Sequence, residues 1–173
     1  MSRLNSVTPA NHSRKVVSHV MQLAASPGEV FPLLCPVREY EWIDVWQCEM
    51  IHSASGVAEA GAVFRTAFPQ DGPPDIWVIS RYEPPCVIEF VRVNALRTVH
   101  FSIDLESEDA GCSRWRWTQT LTGLNAEGDA WVAEVDASEF EQKIDVLCAK
   151  LAHFLATGTM LRDNRSSPVD NER

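Results

Sequence analysis

Positive charge is scarce in this chain, and so is any long apolar run. Its 173 residues carry 15 Lys and Arg against 24 Asp and Glu, a formal net charge of -9. Phosphate backbones are held by clustered Lys and Arg, so this balance argues against nucleic acid and anionic membrane surfaces as partners. Acidity alone indicates a well-solvated surface rather than a particular partner. No apolar segment approaches the roughly 20 residues of a membrane-spanning helix, so no integral membrane association is expected. The stretch from Val16 to Ala25 comes nearest to a secretory signal. Ser18, His19 and Gln22 interrupt it, and it alternates as a strand does. Residence in the cytoplasm is the expectation.

Paired cysteines are missing too. Cys35, Cys48, Cys86, Cys112 and Cys148 are odd in number and scattered, with no C-x-x-C pair. That speaks against a disulfide framework and against the standard zinc spacings, and for free thiols in a reducing compartment. The chain has no Gly-x-Ser-x-Gly elbow, no P-loop, no Rossmann glycine pattern and no His-Glu-x-x-His. Nucleotide-dependent and standard hydrolase chemistry are therefore not expected. No cofactor and no metal are expected. There is no internal repeat and no second domain, and the length suits one domain with its own core.

What is present is an ordered series of elements. Arg14 to Ala25 reads as a strand. Ser26-Pro27-Gly28-Glu29 reads as a capping box with proline at the first helical position, and Pro36 stops that short helix. Val37 to Asp44 forms a second short turn. Strands follow over Trp46 to Ser53, Ala62 to Phe68, Ile76 to Tyr82, Val87 to Val93, Arg97 to Glu106 and Ser113 to Thr122. The cleanest alternation sets Val99, Phe101, Ile103 and Leu105 against Thr98, His100, Ser102 and Asp104, the pattern of a half-buried antiparallel sheet. Asn125 to Asp136 is ambiguous: Gly128 and Asp129 suggest a break, while Trp131 and Val135 have helical spacing. Ser138 and Glu141 read as a second capping box. Phe140, Ile144, Leu147, Leu151 and Phe154 then recur on one helical face, and Gly158 is a terminator. A lone sheet cannot bury its inner face, so this helix lies across it.

This order of elements resembles the START-like (SRPBCC) helix-grip superfamily, which includes polyketide cyclases, lipid-transfer domains and birch-pollen-allergen proteins. The likeness spans about Val16 to Gly158. Ser26 to Phe31 looks like the superfamily's entry into its first helix, and Leu151-Ala152-His153-Phe154-Leu155 like the end of its closing helix. Leu34 to Glu49 and Thr157-Gly158 look like a bacterial branch. The resemblance implies an α+β fold: a curved antiparallel sheet of about six or seven strands wrapped around a long C-terminal helix, with two short helices after the first strand. It implies a single domain over 14–158, with flexible termini at 1–13 and 159–173, and an apolar tunnel between sheet and helix. Members bind sterols, lipids, polyketides or plant hormones, and some catalyse cyclisation or dehydration. No catalytic motif is shared across the superfamily, so no catalytic residue is carried over.

The candidate site residues follow from side-chain chemistry. Trp42, Trp46, Trp77, Trp115, Trp117 and Trp131 have large apolar bodies with one polar tip, suited to holding a flat hydrophobic ligand, and the first five are the candidates taken forward. Ordinary core packing is the plainer reading for any one of them. Phe90 from the strands and Leu147 and Leu151 from the closing helix complete the apolar lining. His52 shares an inferred face with Trp46, Cys48 and Met50 and is the best candidate for proton transfer. A histidine on such a face is more often a satisfied core or rim residue. Glu49 is a weaker catalytic candidate, as is Glu39, which lies with Asp44 near the expected mouth. Arg65, Arg81 and Arg92 each sit among apolar strand residues. Each either pairs with a carboxylate such as Glu49, Glu83 or Glu89, or fixes the acidic head of a ligand.

Three readings of function stay open at this point. One is a carrier or binding protein for a small hydrophobic or amphipathic molecule. Another is a polyketide cyclase- or dehydratase-like enzyme in the same cavity, without metal or nucleotide. The third is a protein-interaction module with a side-chain-filled interior. The sequence does not distinguish a monomer from a homodimer.

Overall fold

The computed structural model describes residues 11–109 and 111–162. The outer parts of the two expected loose ends, 1–10 and 163–173, lie outside the described residues. Period-two alternation delivers seven strands: β1 (Arg14–Leu23), β2 (Glu49–His52), β3 (Val63–Thr66), β4 (Asp75–Glu83), β5 (Val87–Val93), β6 (Arg97–Asp109) and β7 (Cys112–Gly123). They form one antiparallel sheet in the order β1-β7-β6-β5-β4-β3-β2. β2 to β7 make a continuous meander, and β1 returns to pair with β7. The inner face is set where β6 meets β7. Val99 opposes Leu121 and Ile103 opposes Trp117, all four buried, as the alternation requires.

Besides a bulge late in β6, between Leu105 and Ser107, two β-bulges change the parity of this pattern. One lies between Met50 and His52 in β2, the other between Ile79 and Arg81 in β4. A bulge inserts one unpaired residue, so every side chain beyond it moves to the opposite face. β2 is also shorter than expected. Trp46 to Cys48 form no strand, and the Trp46 indole instead donates to the carbonyl of Pro36 at 2.8 Å.

The short helix α1 (Pro27–Val30) begins where the first capping box places it. The Ser26 backbone N–H and hydroxyl both donate to the Glu29 carboxylate, at 2.9 and 2.7 Å. Two 3₁₀ turns follow, Phe31–Leu34 and Glu39–Glu41. The fully buried Trp42 ties them together by donating to the Leu33 carbonyl at 2.9 Å.

The ambiguous segment is a helix, α2 (Ala126–Glu134). The Asn125 side chain caps it, accepting from the Gly128 backbone at 2.9 Å. Lys15 closes the other end by donating to the carbonyls of Ala133 and Val135, at 2.8 and 2.7 Å. Gly128 is no helix break. A Cβ there would fall onto the carbonyl of Leu96, so glycine allows α2 to seat directly on the β5–β6 turn.

The closing helix α3 (Ala137–Thr157) is capped two residues earlier than the sequence suggests. Its cap is Asp136, whose carboxylate accepts from the Ser138 backbone at 2.7 Å and from the Ser138 hydroxyl at 2.8 Å. That replaces the expected box between Ser138 and Glu141: a carboxylate accepts both donors and sits favourably at the positive end of the helix. Gly158 ends the helix in the left-handed conformation, φ 69°. Phe140, Ile144 and Leu151 are buried beneath it, and α3 packs against β1. Lys150 is buried as well and reaches Asp44 at 2.5 Å, tying the helix to the loop after the second 3₁₀ turn. No helix among the described residues is long and apolar enough to cross a membrane.

Candidate functional site

Between the inner face of the sheet and α3 lies a cavity of about 560 Å³. β3 to β7 supply its aromatic wall. Phe64 stacks on Trp77 with centroids 5.4 Å apart, and Phe90 meets Trp77 edge-on at 5.8 Å. Phe101 follows at 5.8 Å from Phe90, and Trp117 at 5.6 Å from Phe101. α3 faces them with Phe140, Ile144 and Leu147. Several residues both line the cavity and are exposed, and they mark its mouth: Gln70, Glu134, Asp136, Glu139 and Lys143. Acidic side chains dominate there. The segment from Pro36 to Trp46 adds Pro36, Glu39, Ile43 and Trp46.

Two polar groups bear on the chemistry of this space. The first is a buried charge cluster at one end of the wall. Arg92 donates from Nε and Nη2 to Asp75 at 3.0 and 2.5 Å, and lies 3.5 Å from Asp71. Arg97 reaches the same Asp75 oxygen at 3.2 Å, and Asn94 donates to the other at 2.8 Å. Arg92 lies over Trp77 at 4.8 Å and Arg97 over Trp131 at 3.8 Å, so both cations also use aromatic faces. Burial pulls the Arg97 guanidinium below its ordinary value.

The second is Glu39. Its neighbours Arg38 and Glu41 pair with each other at 2.8 and 2.9 Å, so no cation of its own turn serves it. Its carboxyl makes no hydrogen bond among the described residues, and Glu39, half-buried, is part of the cavity lining. Desolvation pushes its pKa up to about 8, so it carries its proton at neutral pH. Burial, above all, also raises the nearby Cys48 thiol.

The comparisons with known proteins now bear on this geometry. No protein-family model matches the chain, and no curated protein matches it significantly. Solved structures do match. A norcoclaurine synthase point mutant from Thalictrum flavum, in complex with a transition-state analogue, aligns at TM-score 0.64 and 10% identity, covering 87% of this chain and 99% of its own. Ara h 8.0201 aligns at 0.60 and 14% identity, covering 84% and 99%. A protein of the dynemicin biosynthetic locus aligns at 0.58 and 18% identity, covering 83% of this chain. The chain spans about half, 48%, of that protein's length. This chain shares the helix-grip α+β fold of these proteins.

Of the candidate residues, Trp46, Trp77, Phe90, Arg92, Trp117 and Leu147 line the cavity. The other candidates lie elsewhere. Trp42, Trp115 and Leu151 are fully buried behind the wall. Trp115 donates to the Ser113 hydroxyl at 2.8 Å, and Ser113 in turn to the Ala25 carbonyl at 2.8 Å. These three are packing residues.

His52 and Arg81 require a correction, because each follows a bulge. Each is exposed and off the inner face. Arg81 donates to Glu83 and Glu89 at 2.8 to 3.1 Å. Arg65 and Glu49 stand opposite each other across β2 and β3, exposed, and pair at 3.1 Å. His52 and Glu49 are therefore outside the cavity, and neither is placed for proton transfer within it. Arg92 does line the cavity, but Asp75 neutralises it, so it offers no free charge to an acidic ligand.

Phe64 and Phe101 line the cavity without having been candidates, and Trp131, weighed with the other tryptophans but not taken forward, lines it too. Alternation put Phe101 on an inner face but could not tell wall from filled core. Trp131 sat in the segment whose periodicity was undecided.

Proposed function

We propose that this chain binds a small hydrophobic or amphipathic molecule in the chamber between the sheet and α3. One observation carries the reading: a space of about 560 Å³ stays open among five aromatic rings. Open at its mouth, this space leaves an apolar wall facing water, and that wall forgoes the stabilisation of burial until an apolar occupant covers it. Such a space is kept for an occupant. A ligand burying about 300 Å² of apolar surface gains roughly 7 kcal/mol before the costs of immobilisation. The interaction-module reading calls for a filled interior, and the chamber counts against it. The five free cysteines favour a cytoplasmic carrier, and the domain is taken as 14–158.

A second reading, an enzyme of cyclase or dehydratase type, is favoured by the protonated carboxyl of Glu39 in the same space. Both readings need occupancy first. Native mass spectrometry of gently purified protein, with organic extraction, tests it. A reproducible added mass supports binding. An apo mass together with no uptake of a neutral naphthylamine dye refutes it.

A further inference from the structure

The chamber has an apolar wall and an acidic mouth, and its charges are not evenly used. Arg92 is held by Asp75 and Asp71. Asp136 is engaged as the cap of α3. Glu134, Glu139 and Lys143 stand in solvent at the mouth. Gln119 lies on the wall, and an amide there imposes no charge on a ligand. Beyond these, two polar groups of the lining are left without a hydrogen-bond partner among the described residues, the Glu39 carboxyl and the Trp117 indole N–H, and of the two only Glu39 can change its charge.

We propose that Glu39 is the polar anchor of the chamber, donating its carboxyl O–H to an uncharged aromatic ligand that carries an oxygen acceptor such as a ketone. This rests on the binding reading given above. Three kinds of ligand compete for such a site. An anion meets acids at the mouth and a carboxyl inside; Arg92 is already paired, and Lys143 stands in solvent among three carboxylates. An ammonium requires Glu39 to ionise among aromatic walls, and both partners would then lose their hydration. A neutral carbonyl leaves every charge as it stands and can accept from the Glu39 carboxyl or from the Trp117 indole N–H, two donors that Glu39→Leu tells apart. The titratable groups that share the chamber with Glu39 are Asp71 and Arg92 from the sheet side and Glu134, Asp136, Glu139 and Lys143 from the helix side. On its own segment, Arg38 pairs with Glu41, Asp44 with Lys150, and the Cys48 thiol lies close enough to sense its charge.

Four probes of one shape decide the matter by titration calorimetry on the full chain: methyl naphthyl ketone, ethylnaphthalene, naphthoate and naphthylmethylamine. At about pH 6.5 the ketone should bind about fivefold more tightly than ethylnaphthalene, one hydrogen bond's worth. Glu39→Leu should erase that advantage, and Glu39→Gln should keep it, because the amide still donates. At about pH 9.5 the wild type should lose the advantage as Glu39 ionises, and Glu39→Gln should retain it. Equal binding of ketone and hydrocarbon at the lower pH overturns the anchor while leaving the binding reading intact. So does tightest binding of the amine. If no naphthalene binds at all, the binding reading itself falls, and the anchor with it.

Discussion

Glu39 should destabilise this protein, and its replacement by glutamine should stabilise it. An ordinary glutamate titrates at 4.5, and burial lifts this one to about 8. Between those values the unfolded chain has released the proton and the folded chain has kept it. The folded state therefore binds more protons, so stability falls as pH rises, by about 1.4 kcal/mol per unit. The loss begins near the unfolded value, is complete above the folded one, and is absent in acid. It reaches about 1 kcal/mol at about pH 5.5 and about 3 kcal/mol at about pH 7, as upper bounds because water at the mouth screens part of it. Glu39→Gln keeps the size of the side chain and removes the proton. Urea unfolding of both proteins at several pH values reads the difference directly. The two stability curves should converge in acid and separate with rising pH, the variant above. Parallel curves would refute the burial of this carboxyl and remove the basis for its role in the chamber. A stabilising substitution at a cavity residue also fits the common trade between stability and function.

Other perturbations test other parts of the structure. Asp75→Asn leaves Arg92 and Arg97 buried without their counter-charge and should cost about 3–5 kcal/mol in chemical unfolding. Adding Arg97→Met should recover part of that loss, and strict additivity would contradict the cluster. Gly128→Ala drives a methyl group into the Leu96 carbonyl and should lower Tm by several degrees. An unchanged Tm would mean that α2 is not seated on the β5–β6 turn. Trp117→Phe should cost less than Trp115→Phe, because the Trp117 indole N–H is buried without a partner whereas that of Trp115 is bonded to Ser113. His52→Ala should leave dye binding unchanged, since the bulge in β2 turns that side chain away from the chamber.

Much of the fold is legible in the chain. The alternation of β6 and β7 placed Val99, Ile103, Trp117 and Leu121 on the buried face, because a two-residue period has one solution on a sheet with one wet side. Phe140, Ile144 and Leu151 marked the inner face of α3 for the corresponding reason in a helix. The site was legible only in part. His52 and Arg81 were assigned by counting residues in twos, and counting fails at a bulge, which leaves no reliable local signature. Glu39 looked like a surface charge on a short turn. Nothing in its neighbourhood of sequence says that Arg38 is taken by Glu41 and that the turn faces inward.

The sequence alone determined the seven strands and the closing helix, the helix starts at Pro27 and near Ser138, and which faces of β6, β7 and α3 are apolar. These follow from periodicity and capping, which act within a few residues. Tertiary structure alone decided that the apolar faces enclose a chamber and do not meet. It also decided that Asp75 cancels Arg92 and that Glu39 keeps its proton. Those outcomes depend on distances between residues far apart in the chain, and on the water excluded between them.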